Sequence, residues 1–131
     1  MTFFNRIKNT FSAGSNLDER WVVSESKNQL EKLLKEDSGI HLVYKHSDAC
    51  MTCMFTKKRV EELMSSDQKI QSFHYIEVRL NRELSNFVRD MTGIKHESPQ
   101  AILLYNGVVI WHASHSAIEV DSILSVLKGI N

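Results

Sequence analysis

Apolar positions divide this chain into short β-type runs and longer stretches with helical spacing. Trp21-Val22-Val23 is the first β-type run. Leu30, Leu33 and Leu34 then repeat at i, i+3, i+4, which predicts a helix with one apolar face. Ser24 or Ser26 can cap it, Ser26 with Gln29 matches a capping box, and Ser38-Gly39 stops it. From Ile40 to Tyr44 the run is apolar except for His41, as a strand covered on both faces requires. A second helix follows, with Cys53, Met54, Val60, Leu63 and Met64 as its inner side. Phe73 to Leu80 mixes aromatic and β-branched residues and reads as a strand. Asn81 is placed to cap a helix carrying Leu84, Phe87, Val88 and Met91, with Gly93 at its end. Asn106-Gly107 between two apolar runs is a strong hairpin signal. Pro99, the chain's only proline, opens the first arm of that hairpin, where a missing N–H is tolerated. Ser116 with Glu119 forms a second capping box ahead of Ile118, Val120, Ile123, Leu124 and Leu127, and Gly129 sits at the C-cap. The predicted order is β-α-β-α-β-α-β-β-α: an α/β domain with a mixed central sheet and helices on both faces.

The pattern separates residues 1–20, a short N-terminal arm, from a domain over 21–131. In the arm, Phe4, Ile7 and Phe11 fall at helical spacing among basic residues, and Ser12 to Asn16 has linker composition. Two turns are thin support for a membrane-surface helix, so a docking or fraying arm is the expectation. Length and composition suit one folded domain: 131 residues, 42% hydrophobic and 24% charged. Sixteen basic residues balance sixteen acidic ones, which argues against a broad nucleic-acid surface. No apolar run approaches the roughly 18 residues of a membrane span, and no apolar signal core opens the chain. The expectation is a cytoplasmic protein, a compartment in which paired cysteines are more often catalytic than structural.

The two cysteines, Cys50 and Cys53, stand between the apolar strand and its helix. Side chains three apart on a helix bring their Cβ atoms to about 5–6 Å, close to disulfide geometry. A helix N-terminus carries about half a positive charge, which favours a thiolate at Cys50. Zinc sites use the same spacing, and two inert core cysteines would also fit it; the strand before and helix after favour a redox pair. His112 and His115 miss the usual zinc spacing, and no metal site is assigned. Lys45, His46 and His96 are candidates for supporting a thiolate. For Lys45 the alternative is a side chain in solvent; for the histidines it is packing and hydrogen bonding alone.

Lys45-His46-Ser47, His96-Glu97-Ser98-Pro99-Gln100 and Val109 to His115 together resemble the small thioredoxin-like proteins of the bacillithiol system, the monothiol-type bacilliredoxins. The resemblance covers about residues 21–128. It implies a three-layer thioredoxin-like fold and thiol–disulfide oxidoreductase activity in low-molecular-weight-thiol homeostasis. Partners would be protein disulfides or mixed disulfides, with a small thiol such as bacillithiol as co-substrate and no other cofactor. The family's reactive cysteine matches Cys50. Its usual segment has serine where this chain has Cys53, so this chain could resolve a mixed disulfide internally. Resemblance to thioredoxins also implies a cis Ser98–Pro99 bond beside Cys50, these two residues forming the substrate-binding turn. The alternatives are a binding module with an idle cysteine pair and a metal or iron–sulfur carrier.

Overall fold

The computed structural model describes residues 17–35, 38–66 and 68–130. The apolar spacing read in residues 4–11 and the linker at 12–16 lie outside the described residues, and the boundary at residue 20 is untested. Among the described residues, five strands and four α-helices follow the expected order: β1 (Trp21–Val23), α1 (Lys27–Lys35), β2 (Ile40–His46), α2 (Met51–Met64), β3 (Ser72–Glu77), α3 (Arg82–Thr92), β4 (Gln100–Tyr105), β5 (Val108–Ser114) and α4 (Val120–Lys128). A 3₁₀ turn, His115–Ala117, precedes α4.

The sheet order is β1-β3-β2-β4-β5. β1 and β2 both run parallel to β3, whereas β4 is antiparallel to β2 and to β5. Alternation along β2 sends Ile40, Leu42 and Tyr44 to one face and Val43 to the other. On the first face Trp21, Phe73 and Tyr75 pack with Val60 and Leu63 of α2 and Ile123 and Leu127 of α4. On the second, Ile76, Ile102 and Leu104 meet Leu30, Leu33 and Leu34 of α1 and Leu84 and Val88 of α3. The central strand is thus apolar on both sides because helices cover both sides.

Local signals acted where their geometry was realised. Ser26 caps α1: its Oγ accepts from the Gln29 N–H at 3.2 Å, while Gln29 Oε1 accepts from the Glu25 N–H rather than from that of Ser26. Asn106 (φ 51°) and Gly107 (φ 79°) make the left-handed pair of a tight hairpin turn. A Cβ at Gly107 would stand 2.7 Å from the Leu34 carbonyl oxygen, so glycine is needed twice over. Two expected caps are absent. Asn81 sits at the N-cap of α3 without a side-chain bond. Ser116 lies in the 3₁₀ turn, and α4 starts at Val120 with Glu119 as its N-cap, again without a side-chain bond. Ile118 therefore precedes α4 and is buried in the core instead.

Candidate functional site

β2 ends at His46, and a loop of three residues delivers Cys50 to the N-cap of α2. Two backbone hydrogen bonds shape the loop: Cys50 N–H to Ser47 O (3.1 Å) and Val78 N–H to His46 O (2.9 Å). Glu77, buried at the end of β3, accepts from the Asp48 N–H at 3.1 Å and the Leu80 N–H at 2.9 Å. It ties the loop before Cys50 to the turn after β3. Sequence reasoning placed Glu77 only as a strand residue; an acidic group at a strand end, facing two loops with unpaired N–H groups, was the available signal.

The two free thiols lie in opposite environments. Cys50 is partly exposed at the mouth of α2, whereas Cys53, one turn on, is fully buried. The Cys53 backbone N–H and thiol, followed by the N–H and hydroxyl of Thr52, donate toward the Cys50 sulfur and lower its pKa. Burial pushes the Cys53 thiol up; a backbone donor from Ser47 and the Ser98 hydroxyl, 3.8 Å from its sulfur, act against that rise. Ser98–Pro99 is a cis peptide bond, and β4 begins immediately after it at Gln100.

Under α2 the buried Tyr44 hydroxyl joins three groups: His46 Nδ1 (3.1 Å), Thr56 Oγ1 (3.0 Å) and the Cys53 carbonyl (3.0 Å). His46 Nε2 in turn meets Asp48 Oδ1 at 3.0 Å. Burial lowers the His46 pKa and raises that of Tyr44, so the network is neutral apart from Asp48. Thr56 was not foreseen as an inner residue; the periodic pattern was read from apolar types alone.

The candidate supporting residues separate. His46 reaches the cysteine segment through Tyr44. Lys45 does not point to solvent: it is fully buried on the other sheet face, where Nζ donates to Ser85 O at 3.1 Å and approaches His96 Nδ1 at 3.3 Å. His96 Nδ1 also lies within hydrogen-bond distance, 2.9 Å, of the Ser85 hydroxyl. Burial lowers the pKa of both, that of Lys45 to about 8. Lys45 and His96 thus bind each other across the face opposite α2. A second correction concerns α2: Met54, expected inside, is 56% exposed, Met51 is 72% exposed, and Phe55 beside them is also exposed. Cys53 and Thr56 of the same turns are buried, so Met51, Met54 and Phe55 lie on the outer side of α2 and form an apolar surface next to Cys50. Among the described residues no group of three or more His, Cys, Asp or Glu side chains could hold a metal ion, and no helix is long and apolar enough to cross a membrane.

Residues 24–123 match the family model described as monothiol bacilliredoxin BrxC. The chain is also similar to a solved structure described as a candidate oxidoreductase with a thioredoxin fold, at 27% identity and TM-score 0.73, with 82% of this chain and 93% of that chain covered. Thioredoxin from Trypanosoma brucei brucei aligns at 16% identity and TM-score 0.67, covering 88% of this chain and 96% of the other. A mutant thioredoxin from Halobacterium salinarum NRC-1 aligns at 16% identity and TM-score 0.63, covering 88% and 95%. The fold is that of thioredoxin.

Proposed function

The chain belongs to the monothiol bacilliredoxin family, and from that membership we propose that it reduces mixed disulfides between proteins and bacillithiol, with Cys50 attacking and Cys53 resolving. The family and the fold support a thiol redox role. One observation carries the division of labour: the accessible sulfur is the one whose thiolate is stabilised by donors, and the thiol one turn behind it is buried and kept protonated.

The steps balance as thiol–disulfide exchange. The Cys50 thiolate attacks the bacillithiol sulfur of the mixed disulfide. A Cys50–bacillithiol disulfide forms, and the target protein leaves as a thiolate that takes a proton. Cys53 then loses its proton and attacks the Cys50 sulfur. The Cys50–Cys53 disulfide forms and bacillithiol departs as its thiolate. Two electrons from an external thiol reductant restore the pair. A serine at position 53 would stop the sequence after the first step and leave an external thiol to clear the adduct. Ser98 and Pro99 are assigned to substrate binding: Pro99 has no N–H to give the sheet, and the backbone of Ser98 is left to pair with an extended substrate segment. The activity is expected in the cytoplasm, where such mixed disulfides are cleared.

The test is adduct mass after exposure to a bacillithiolated protein. Cys53→Ser should accumulate one bacillithiol on Cys50, and Cys50→Ser should react with nothing. An adduct on Cys53 in the second variant, with none on Cys50 in the first, reverses the assignment.

A further inference from the structure

The outer face of α2 changes character along its length. From Lys57 onward it is charged: Lys57 and Glu61 pair at 2.9 Å, and Lys58 and Glu62 are exposed. In the first turns the outward positions are Met51, Met54 and Phe55, all exposed. A helix ordinarily turns polar residues to water, so this stretch is an exception, confined to the neighbourhood of the cysteines. Two of the three are thioethers, and each follows a cysteine directly in the chain: Cys50-Met51 and Cys53-Met54. The other two described methionines are placed differently. Met64 packs against the core beneath α2 and Met91 against the core beneath α3, both partly buried.

Thiols and thioethers differ as targets for oxidants. A thiol reacts as its thiolate, so its oxidation follows its ionisation. A thioether has no proton to lose, so exposure decides its oxidation. Once Cys50 and Cys53 have closed into a disulfide, as in the sequence proposed above, neither holds a thiolate, and Met51 and Met54 still stand open beside them. We propose that Met51 and Met54 are a second oxidation site of this surface. They take oxygen from a hypohalous acid after the cysteines have paired, and their oxidation slows exchange with protein disulfides more than exchange with small ones. The step balances: the thioether sulfur gains the oxygen of hypochlorous acid and becomes a sulfoxide, and chloride and a proton leave. The sulfoxide is polar where the thioether was apolar. A protein whose disulfide reaches the Cys50 sulfur lies against the residues around Cys50, so it has to desolvate the new polar group. A small disulfide reaches the same sulfur without covering them. Methionine sulfoxide reductases reverse the change, two thiols closing to a disulfide as the sulfoxide returns to thioether and water. This rests on the reading of Cys50 as the attacking sulfur.

The test starts from protein with the Cys50–Cys53 disulfide closed. It is treated with limiting hypochlorous acid and then with dithiothreitol, which reopens the disulfide and leaves sulfoxides in place. Peptide masses should show oxygen on Met51 and Met54 before Met64 or Met91. Exchange rates are then read with two substrates, a bacillithiolated protein and 2-hydroxyethyl disulfide. Oxidation should lower the first rate relative to the second about three- to tenfold, as loss of part of one methionine's burial implies. Reduction by the two methionine sulfoxide reductases, one for each epimer, should restore the ratio. The Met51→Leu/Met54→Leu protein keeps an apolar surface without the thioethers, and the same treatment should leave its ratio where it was. Oxygen on Met64 or Met91 first, an unchanged ratio with Met51 and Met54 both oxidised, or an equal fall in the double variant overturns the assignment and leaves the redox reading intact. Untreated protein that does not close the disulfide, or that reacts with neither substrate, removes the redox reading, and the proposal falls with it.

Discussion

Replacing Lys45 by methionine should make the protein more stable near neutral pH and remove a rise in stability at alkaline pH. The fully buried Nζ has a carbonyl and an imidazole nitrogen for company, and no ion pair among the described residues neutralises it. Burial, with the like charge of Arg89 added, lowers its pKa from 10.5 to about 8. At pH 7 the folded protein therefore carries a charge that it binds less readily than the unfolded chain does. The drop corresponds to about 3 kcal/mol, at about 1.36 kcal/mol for each tenfold change in the ionisation constant. The sign follows directly: between pH 8 and 10.5 the unfolded chain holds more protons, so wild-type stability rises with pH over that window. Methionine fits a similar volume without the charge, and it forfeits the bond to Ser85 O, a loss of about 1 kcal/mol. Lys45→Met should thus gain about 1–2 kcal/mol at pH 7 and lose that advantage by about pH 10.5. The assay is urea unfolding of both proteins under reductant at about pH 7, 9 and 10.5. The difference between the two cancels groups that do not meet Lys45, the cysteines among them, and His96, whose pKa is lowered from 6.5, is neutral across this range. Parallel stability curves across this range, or a variant weaker than wild type at pH 7, would refute the reasoning.

Three further outcomes are expected. In single-cysteine variants, alkylation by iodoacetamide should show Cys50 titrating below an ordinary thiol and Cys53 above it; coincident profiles contradict the opposed environments. Tyr44→Phe keeps the ring packed on Trp21 but removes the hydroxyl shared by His46, Thr56 and the Cys53 carbonyl, and should cost about 1–3 kcal/mol in urea unfolding. Glu77→Ala should lose about 2 kcal/mol and expose the Asp48 and Leu80 amides to faster hydrogen exchange; unchanged protection at both would show that the carboxylate does not hold the loop.

The fold was legible because its determinants are periodic and local. The apolar run at 40–44, the helical spacing of Leu30, Leu33 and Leu34, and Asn106-Gly107 each admit few alternatives, and together they order the elements. The place of the cysteine pair at a helix start was legible because an apolar strand and a short polar loop precede it. Lys45 was not, since a charged residue near a strand end reads as solvated unless the helix packed over it is known. Met54 failed in the opposite direction: the inner stripe of α2 runs through Cys53, Thr56, Val60 and Leu63, and reading apolar types alone admitted Met54 beside it and missed Thr56. Asn81 and Ser116 are capping types, yet neither side chain makes a capping bond: Asn81 holds the N-cap position of α3 without one, and a 3₁₀ turn takes Ser116 before α4 begins.

Alternation along β2 explains how one short segment serves two tasks. Tyr44 and His46 turn toward α2, and Lys45 between them turns toward α3. On the α2 side the groups beneath Cys53 are neutral: burial raises the phenol pKa and lowers that of the imidazole. The rise in the Cys53 pKa is accordingly led by burial. In the sequence proposed above, such a thiol would have to lose its proton as it attacks a disulfide formed on Cys50. A carboxylate in place of Tyr44 would add charge repulsion to burial and hold Cys53 back further. The cation of β2 is kept on the far face, against the Ser85 carbonyl and His96. Neutral groups beneath Cys53 and a cation on the opposite face thus follow from the period of two that makes β2 a strand.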